Sequence, residues 1–233
     1  MAVTSEAVQQ ALAMVMVAAL GVLANVAATD DASCVKLTLH NLCPYPVWPL
    51  VTANAGLPSV VGAPTRLDGN GVGLATVSFP AGAWSGRVAP RTGCAAQCAS
   101  SCPDDVQCET GDAPPVTVAQ LSVGEAGGLA AYSVSLVDGF NVPVVVAPQG
   151  FAPGQQCPTL GCAVDLAGDC PAGARGPGGG CGAGATQAAL FKARCPETRT
   201  TATDVEATPQ DCVAPGELKV VFCPPQDCMA SHR

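Results

Sequence analysis

The sequence predicts an all-β protein, a sandwich or barrel of short strands, and three observations carry that reading. Short segments alternate apolar and polar residues with a period of two, as half-buried strands do. Gly and Pro turns separate them at the spacing typical of sandwiches and barrels, as at Asp68-Gly69-Asn70-Gly71 and Pro80-Ala81-Gly82. The chain of 233 residues also carries 14 cysteines, which behind a leader segment indicate an oxidising compartment and a disulfide framework.

The leader is residues 11–28 (ALAMVMVAALGVLANVAA), one apolar run ending in small residues. It is too short and alanine-rich for a comfortable membrane span, and Val26 and Ala28 supply the small side chains a signal peptidase needs at −3 and −1. Cleavage after Ala28 is therefore expected. Glu6 and the lack of any Lys or Arg before the run depart from the usual positive start and keep an uncleaved anchor as the alternative. The remainder, 29–233, suffices for one domain with its own core. It contains no further apolar run of membrane length.

The first strand begins at Val35, where Val35, Leu37 and Leu39 alternate with Lys36, Thr38 and His40. Further strands are expected at Val47–Thr52, Leu74–Phe79, Val116–Val123, Ala131–Val137, Val142–Val146 and Leu218–Phe222. The one helical pattern is Thr186–Arg194, with Ala189, Leu190 and Ala193 expected on its packed face. Residues 157–195 differ in composition: Cys157, Cys162, Cys170, Cys181 and Cys195 lie amid Gly and Pro. Such a stretch buries little apolar surface, so it reads as a small disulfide-held subdomain.

Composition narrows the function. A net charge of −8, with ten scattered Lys and Arg, disfavours nucleic acid and leaves neutral polysaccharides open. The cysteine gaps and the two histidines, His40 and His232, do not match zinc spacing, so neither metal nor cofactor is expected. With so few histidines, acid–base chemistry would fall to carboxylates. Trp48 and Trp84 lie in strand-flanking blocks and read as packing residues.

Several blocks then occur together in one order. Leu37–Pro49 (LTLHNLCPYPVWP), Pro80–Cys94 (PAGAWSGRVAPRTGC), Pro114–Val123, Tyr132–Pro143, Gly161–Pro171 with Pro177–Cys181, Phe191–Pro196 and Val220–Pro224 resemble the thaumatin-like family from residue 35 to 224. The resemblance implies a flattened antiparallel β-sandwich with a disulfide-rich loop and helix subdomain, and a cleft between them. It implies the bridges Cys43 with Cys223, Cys94 with Cys98, Cys102 with Cys108, Cys157 with Cys212, Cys162 with Cys195 and Cys170 with Cys181. The segment Cys108–Asp112 also resembles an earlier family cysteine block, which leaves the two local pairings open. Cys34 and Cys228 remain and are expected to pair.

The family cleft is lined by one arginine and four acids and is associated with binding or slowly hydrolysing β-1,3-glucan. By position Arg91 matches the arginine, Asp138 one aspartate, and Asp204 the last, with Glu197 as its alternative. Gln120 and Ser133 stand where two acids are expected. Phe140 and Asn141 would add an apolar face and an amide. Glycoside hydrolysis needs two carboxyl groups about 5 Å or roughly 6.5 to 9.5 Å apart, one of them protonated, and Arg91 beside Asp138 would hold that carboxylate ionised. Efficient catalysis is therefore not expected; an Arg91–Asp138 pair serving only structure is the plainer alternative. The expectation is a monomeric, secreted defence protein, in the cell-wall space or a vacuole, that binds β-1,3-glucan or a similar polysaccharide. A weak endoglucanase, an enzyme inhibitor and a membrane-perturbing antifungal protein are the rival readings.

Overall fold

A computed structural model describes residues 35–94, 106–205 and 207–226. The leader 1–28 and Cys34, Cys98, Cys102 and Cys228 lie outside the described residues, and with them the expected Cys34–Cys228 pair.

Among the described residues ten strands form two five-stranded sheets. In chain order they are β1 (Lys36–Asn41), β2 (Trp48–Ala53), β3 (Gly73–Ser78), β4 (Trp84–Arg91), β5 (Val118–Val123), β6 (Leu129–Ser135), β7 (Val144–Gln149), β8 (Leu160–Cys162), β9 (Cys212–Val213) and β10 (Glu217–Phe222). One sheet has the order β3-β1-β10-β7-β8 and the other β2-β4-β5-β6-β9. All pairings are antiparallel except β1 with β10, which run parallel from Lys36↔Glu217 to Asn41↔Phe222. Such a pair cannot be closed by a hairpin. Instead the chain returns after the whole domain, and Cys43–Cys223 links the two strands just past their ends across 180 residues.

The alternation read from the sequence decides which faces meet. Leu37 and Leu39 of β1, Leu218 and Val220 of β10 and Val144 and Val146 of β7 point to one side. They pack on Trp84 and Val88 of β4, Leu121 of β5 and Tyr132 and Val134 of β6, all in one buried cluster. Trp84 is fully buried and its indole Nε1 donates to the Pro58 carbonyl at 2.9 Å. Its ring lies over Gly86, where an added Cβ would collide with Trp84 and with the Thr52 carbonyl.

Residues 157–195 surround a second cluster of Leu136, Phe140, Leu166, Phe191 and four half-cystines. Cys162–Cys195 and Cys170–Cys181 tie it together, and Cys157–Cys212 joins its start to β9. The helix α1 (Ala185–Arg194) has one buried residue, Phe191. Ala189 and Ala193 are exposed, which corrects the packed face expected from the sequence. The aromatic ring removes far more apolar area from water than either alanine methyl, so it sets how the helix rolls.

A second correction concerns the loop after β4. Cys94 is bridged to Cys108, 14 residues away, rather than to Cys98, and Cys108 therefore does not pair with Cys102. The Thr92↔Thr110 bridge brings the loop back alongside the end of β4 and sets the two half-cystines against each other. Trp48, 7% exposed, packs against this disulfide, and the Arg66 guanidinium sits 5.5 Å over its ring. Among the described residues no helix is long and apolar enough to cross a membrane.

Candidate polysaccharide groove

The outer face of the second sheet carries the side chains that alternation turns away from the core. On β4 these are Ser85, Arg87, Ala89 and Arg91; on β5, Gln120 and Ser122; on β6, Ser133 and Ser135. Register aligns Thr52, Arg87, Gln120 and Ser133 in one row across four strands. Ser133 donates its hydroxyl to Gln120 Oε1 at 3.3 Å.

Arg87, Gln120 and Ser133 of this row floor an open groove of about 440 Å³ whose walls include Asn54, Arg199 and Gln210. Arg199 is placed by a parallel bridge to Ser135, its amide donating to the Val134 carbonyl at 2.9 Å. Gln210 is clamped to the Tyr132 backbone: its Nε2 donates to the Tyr132 carbonyl at 2.8 Å and its Oε1 accepts from the Tyr132 amide at 3.3 Å. Tyr132 anchors the floor from beneath, donating its hydroxyl to the Pro158 carbonyl at 2.7 Å, and burial pushes that hydroxyl's pKa up. Among the described residues no Asp or Glu lines this groove.

The residues expected in the cleft separate into groups. Gln120 and Ser133 line the groove together. Arg91 shares their face at the far end of β4 but is nearly buried. Its Nε donates to the Trp48 carbonyl at 3.2 Å and its Nη1 lies 3.5 Å from Asp112. The pair considered between Arg91 and Asp138 is thus replaced by Arg91 with Asp112, because the returning loop stacks Gly111 directly on Arg91. Asp138 is exposed in the turn after β6, and its carbonyl accepts from the Val116 amide at 3.1 Å.

Phe140 has no exposed surface and belongs to the second core, which corrects the expectation that it offers an apolar face to a ligand. Asn141 is likewise buried, and its amide is spent within the protein. Nδ2 donates to the Pro90 carbonyl at 2.8 Å and to Thr110 at 3.1 Å, while Oδ1 accepts from the Thr117 amide at 2.9 Å. Asp204 accepts from the Thr200 amide and hydroxyl, both at 3.0 Å, and lies 3.1 Å from the Lys192 ammonium. Burial alone would raise its pKa, but the Thr200 amide, Lys192 and the Thr200 hydroxyl together outweigh that and hold the carboxyl below its ordinary value. Glu197, the alternative, accepts from the Thr208 hydroxyl and amide at 2.9 and 3.1 Å. Both acids therefore staple local loops, and neither lines the groove.

Arg87, Arg199, Gln210 and Asn54 are among the groove residues that sequence reading missed. For Arg87 a signal was present: in WSGRVAPR the residues Trp84, Gly86 and Val88 alternate inward, which sends Arg87 outward. Nothing local marks Arg199, because a long-range bridge places it. Among the described residues no cluster of three His, Cys, Asp or Glu side chains is arranged to hold a metal ion.

Comparison with known proteins bears on the whole of this architecture. Residues 41–189 match the model of the thaumatin family. An osmotin-like protein from Solanum lycopersicum is 36% identical over 229 residues, covering 80% of this chain and 88% of the relative. A glucan endo-1,3-beta-glucosidase from Prunus avium is 30% identical over 206 residues, covering 83% and 76%. Among solved structures, that of the thaumatin-like xylanase inhibitor TLXI aligns with a TM-score of 0.44 at 22% identity, covering 81% of this chain and 99% of that one. The family match over residues 41–189 and the 36% identity to the osmotin-like relative agree: the chain belongs to the thaumatin family.

Proposed function

We propose that this is a secreted, defence-related monomer that binds a polysaccharide of the β-1,3-glucan type in the groove over β4, β5 and β6 without hydrolysing it. The observation that carries the reading is a groove rich in amide, hydroxyl and guanidinium groups and, among the described residues, lined by no carboxylate. Amides and hydroxyls both donate and accept, which suits the hydroxyls of a neutral sugar. Hydrolysis would need a pair of facing carboxyl groups, one of them protonated. Gln120 and Ser133 occupy the row where such groups would stand, and the tethered Asp204 is held ionised rather than ready to give up a proton.

The name of the Prunus avium relative makes a weak endoglucanase the rival reading, and the lack of carboxylates among the groove's described residues weighs against it. The apolar leader and the cysteine content support export from the cell. Co-sedimentation with insoluble β-1,3-glucan tests the proposal. Wild-type protein is expected to be retained and Gln120→Ile, an exposed strand substitution, to lose most of that retention with an unchanged circular dichroism spectrum. Equal retention of the two removes the groove from the account. Reducing-end release from laminarin above a Gln120→Ile control would overturn the non-hydrolytic part.

A further inference from the structure

We infer that the groove takes an acidic polysaccharide in preference to a neutral one, a short run of uronate sugars whose carboxylates meet Arg87 and Arg199. The inference rests on the reading of this groove as a polysaccharide site and goes beyond it in the ligand the groove prefers.

The arginines of the described residues divide cleanly. Arg66 lies against Asp68, Arg91 against Asp112 and Arg194 against Asp169, and Arg175 donates to the Cys170 carbonyl. Arg87 and Arg199 have no acidic partner and no side-chain hydrogen bond among the described residues, and these two line the same groove. A guanidinium presents a planar fork that matches a carboxylate with two parallel hydrogen bonds, a geometry an isolated ammonium lacks. Two such forks left open at one groove, in a chain of net charge −8, form a local positive field on an otherwise acidic molecule.

Their spacing favours an oligomer over a small anion. Arg87 sits on β4, two strands from β6, and Arg199 pairs with Ser135 on the other side of β6. Three strand spacings put their backbones about 14 Å apart across the sheet. Gln120 and Ser133 lie in the row between, with Asn54 at its side, available for the hydroxyls of the same sugars. Glu125 accepts from the hydroxyl of Ser122, a groove residue, at 2.8 Å. The net negative charge opposes a long polyanion. At physiological salt, charges beyond a Debye length of about 8 Å are largely screened, so a short oligomer responds to the groove itself.

Calorimetric titration of the full chain with three oligosaccharides tests this: de-esterified oligogalacturonate, its methyl ester and laminari-oligosaccharide. The acid form is expected to bind at least roughly tenfold tighter than the ester, the effect of one charge-assisted hydrogen bond, and to weaken as salt rises. Arg87→Gln with Arg199→Gln is expected to abolish the difference. The comparison of acid and ester on the wild-type chain stands even if the double variant folds poorly, and Arg87→Gln alone changes only an exposed side chain. Equal affinity for acid and ester, or an acid preference that survives the double variant, overturns the inference. Laminari-oligosaccharide binding as tight as the acid's overturns it while leaving the polysaccharide reading standing; no binding to any of the three overturns both.

Discussion

Deleting the Cys43–Cys223 bridge by Cys43→Ala with Cys223→Ala is expected to be the most costly loss of any disulfide in the described chain. The bond spans 180 residues, whereas Cys170–Cys181 spans 11. In the chain-entropy description, cross-linking stabilises by restricting the unfolded chain, with a cost that grows as the logarithm of loop length. The long bridge is then worth about 5 kcal/mol and the short one slightly under 3. Bridges nested inside the long loop shorten it, but the logarithm makes that correction a few tenths of a kcal/mol. Cys43, Cys170 and Cys181 are buried and Cys223 is half-buried, so the alanine cavities are comparable and the difference of about 2 kcal/mol is attributable to the loops. Urea unfolding of the two double variants measures it. At a slope of about 2 kcal/mol/M the long-bridge variant should have a midpoint about 1 M below that of the short-bridge variant. Equal midpoints, or a lower one for the Cys170 and Cys181 variant, would refute the loop argument and show that native packing of the subdomain outweighs loop entropy.

Three further outcomes follow from particular contacts. Phe140→Ala empties the centre of the second core and should destabilise by about 3–5 kcal/mol in denaturant titration, a loss that a ligand-facing ring would not produce. Asp204 has a folded pKa below its unfolded one, so its contribution to stability is full above the ordinary carboxylate range and disappears as pH falls through the folded value. The gap in melting temperature between wild type and Asp204→Asn should accordingly be open at pH 7 and narrow as pH falls below the ordinary carboxylate range, and a gap constant with pH would show that the Lys192 and Thr200 contacts do not act through ionisation. Intact mass of the exported protein should begin at residue 29, and alkylation without reduction should add nothing, with all 14 cysteines oxidised; a retained leader or labelled thiols would contradict the expectation of a processed, fully crosslinked chain.

Much of this architecture is legible residue by residue. The alternation of Val35, Leu37 and Leu39 marked β1, the Val116–Val123 and Leu218–Phe222 patterns match β5 and β10 to within two residues, and Thr186–Arg194 differs from α1 by one residue at its start. Such signals are local, because a strand's inward and outward faces are set by consecutive residues and the period of the backbone. The short β8 and β9 carry no such pattern, and their partners, β7 and β6, define them.

By itself the sequence determined the all-β class and the disulfide framework, since each is written in residue type or near spacing, while the resemblance to the family supplied the sandwich and the replacement of two acids by Gln120 and Ser133. The tertiary structure decided which arginines were spent and which were free. Arg91 is matched to Asp112 by a returning loop and Arg199 is delivered to β6 by a bridge across 64 residues of chain. Register between distant segments is chosen by the packing of the whole core, and no local pattern encodes it.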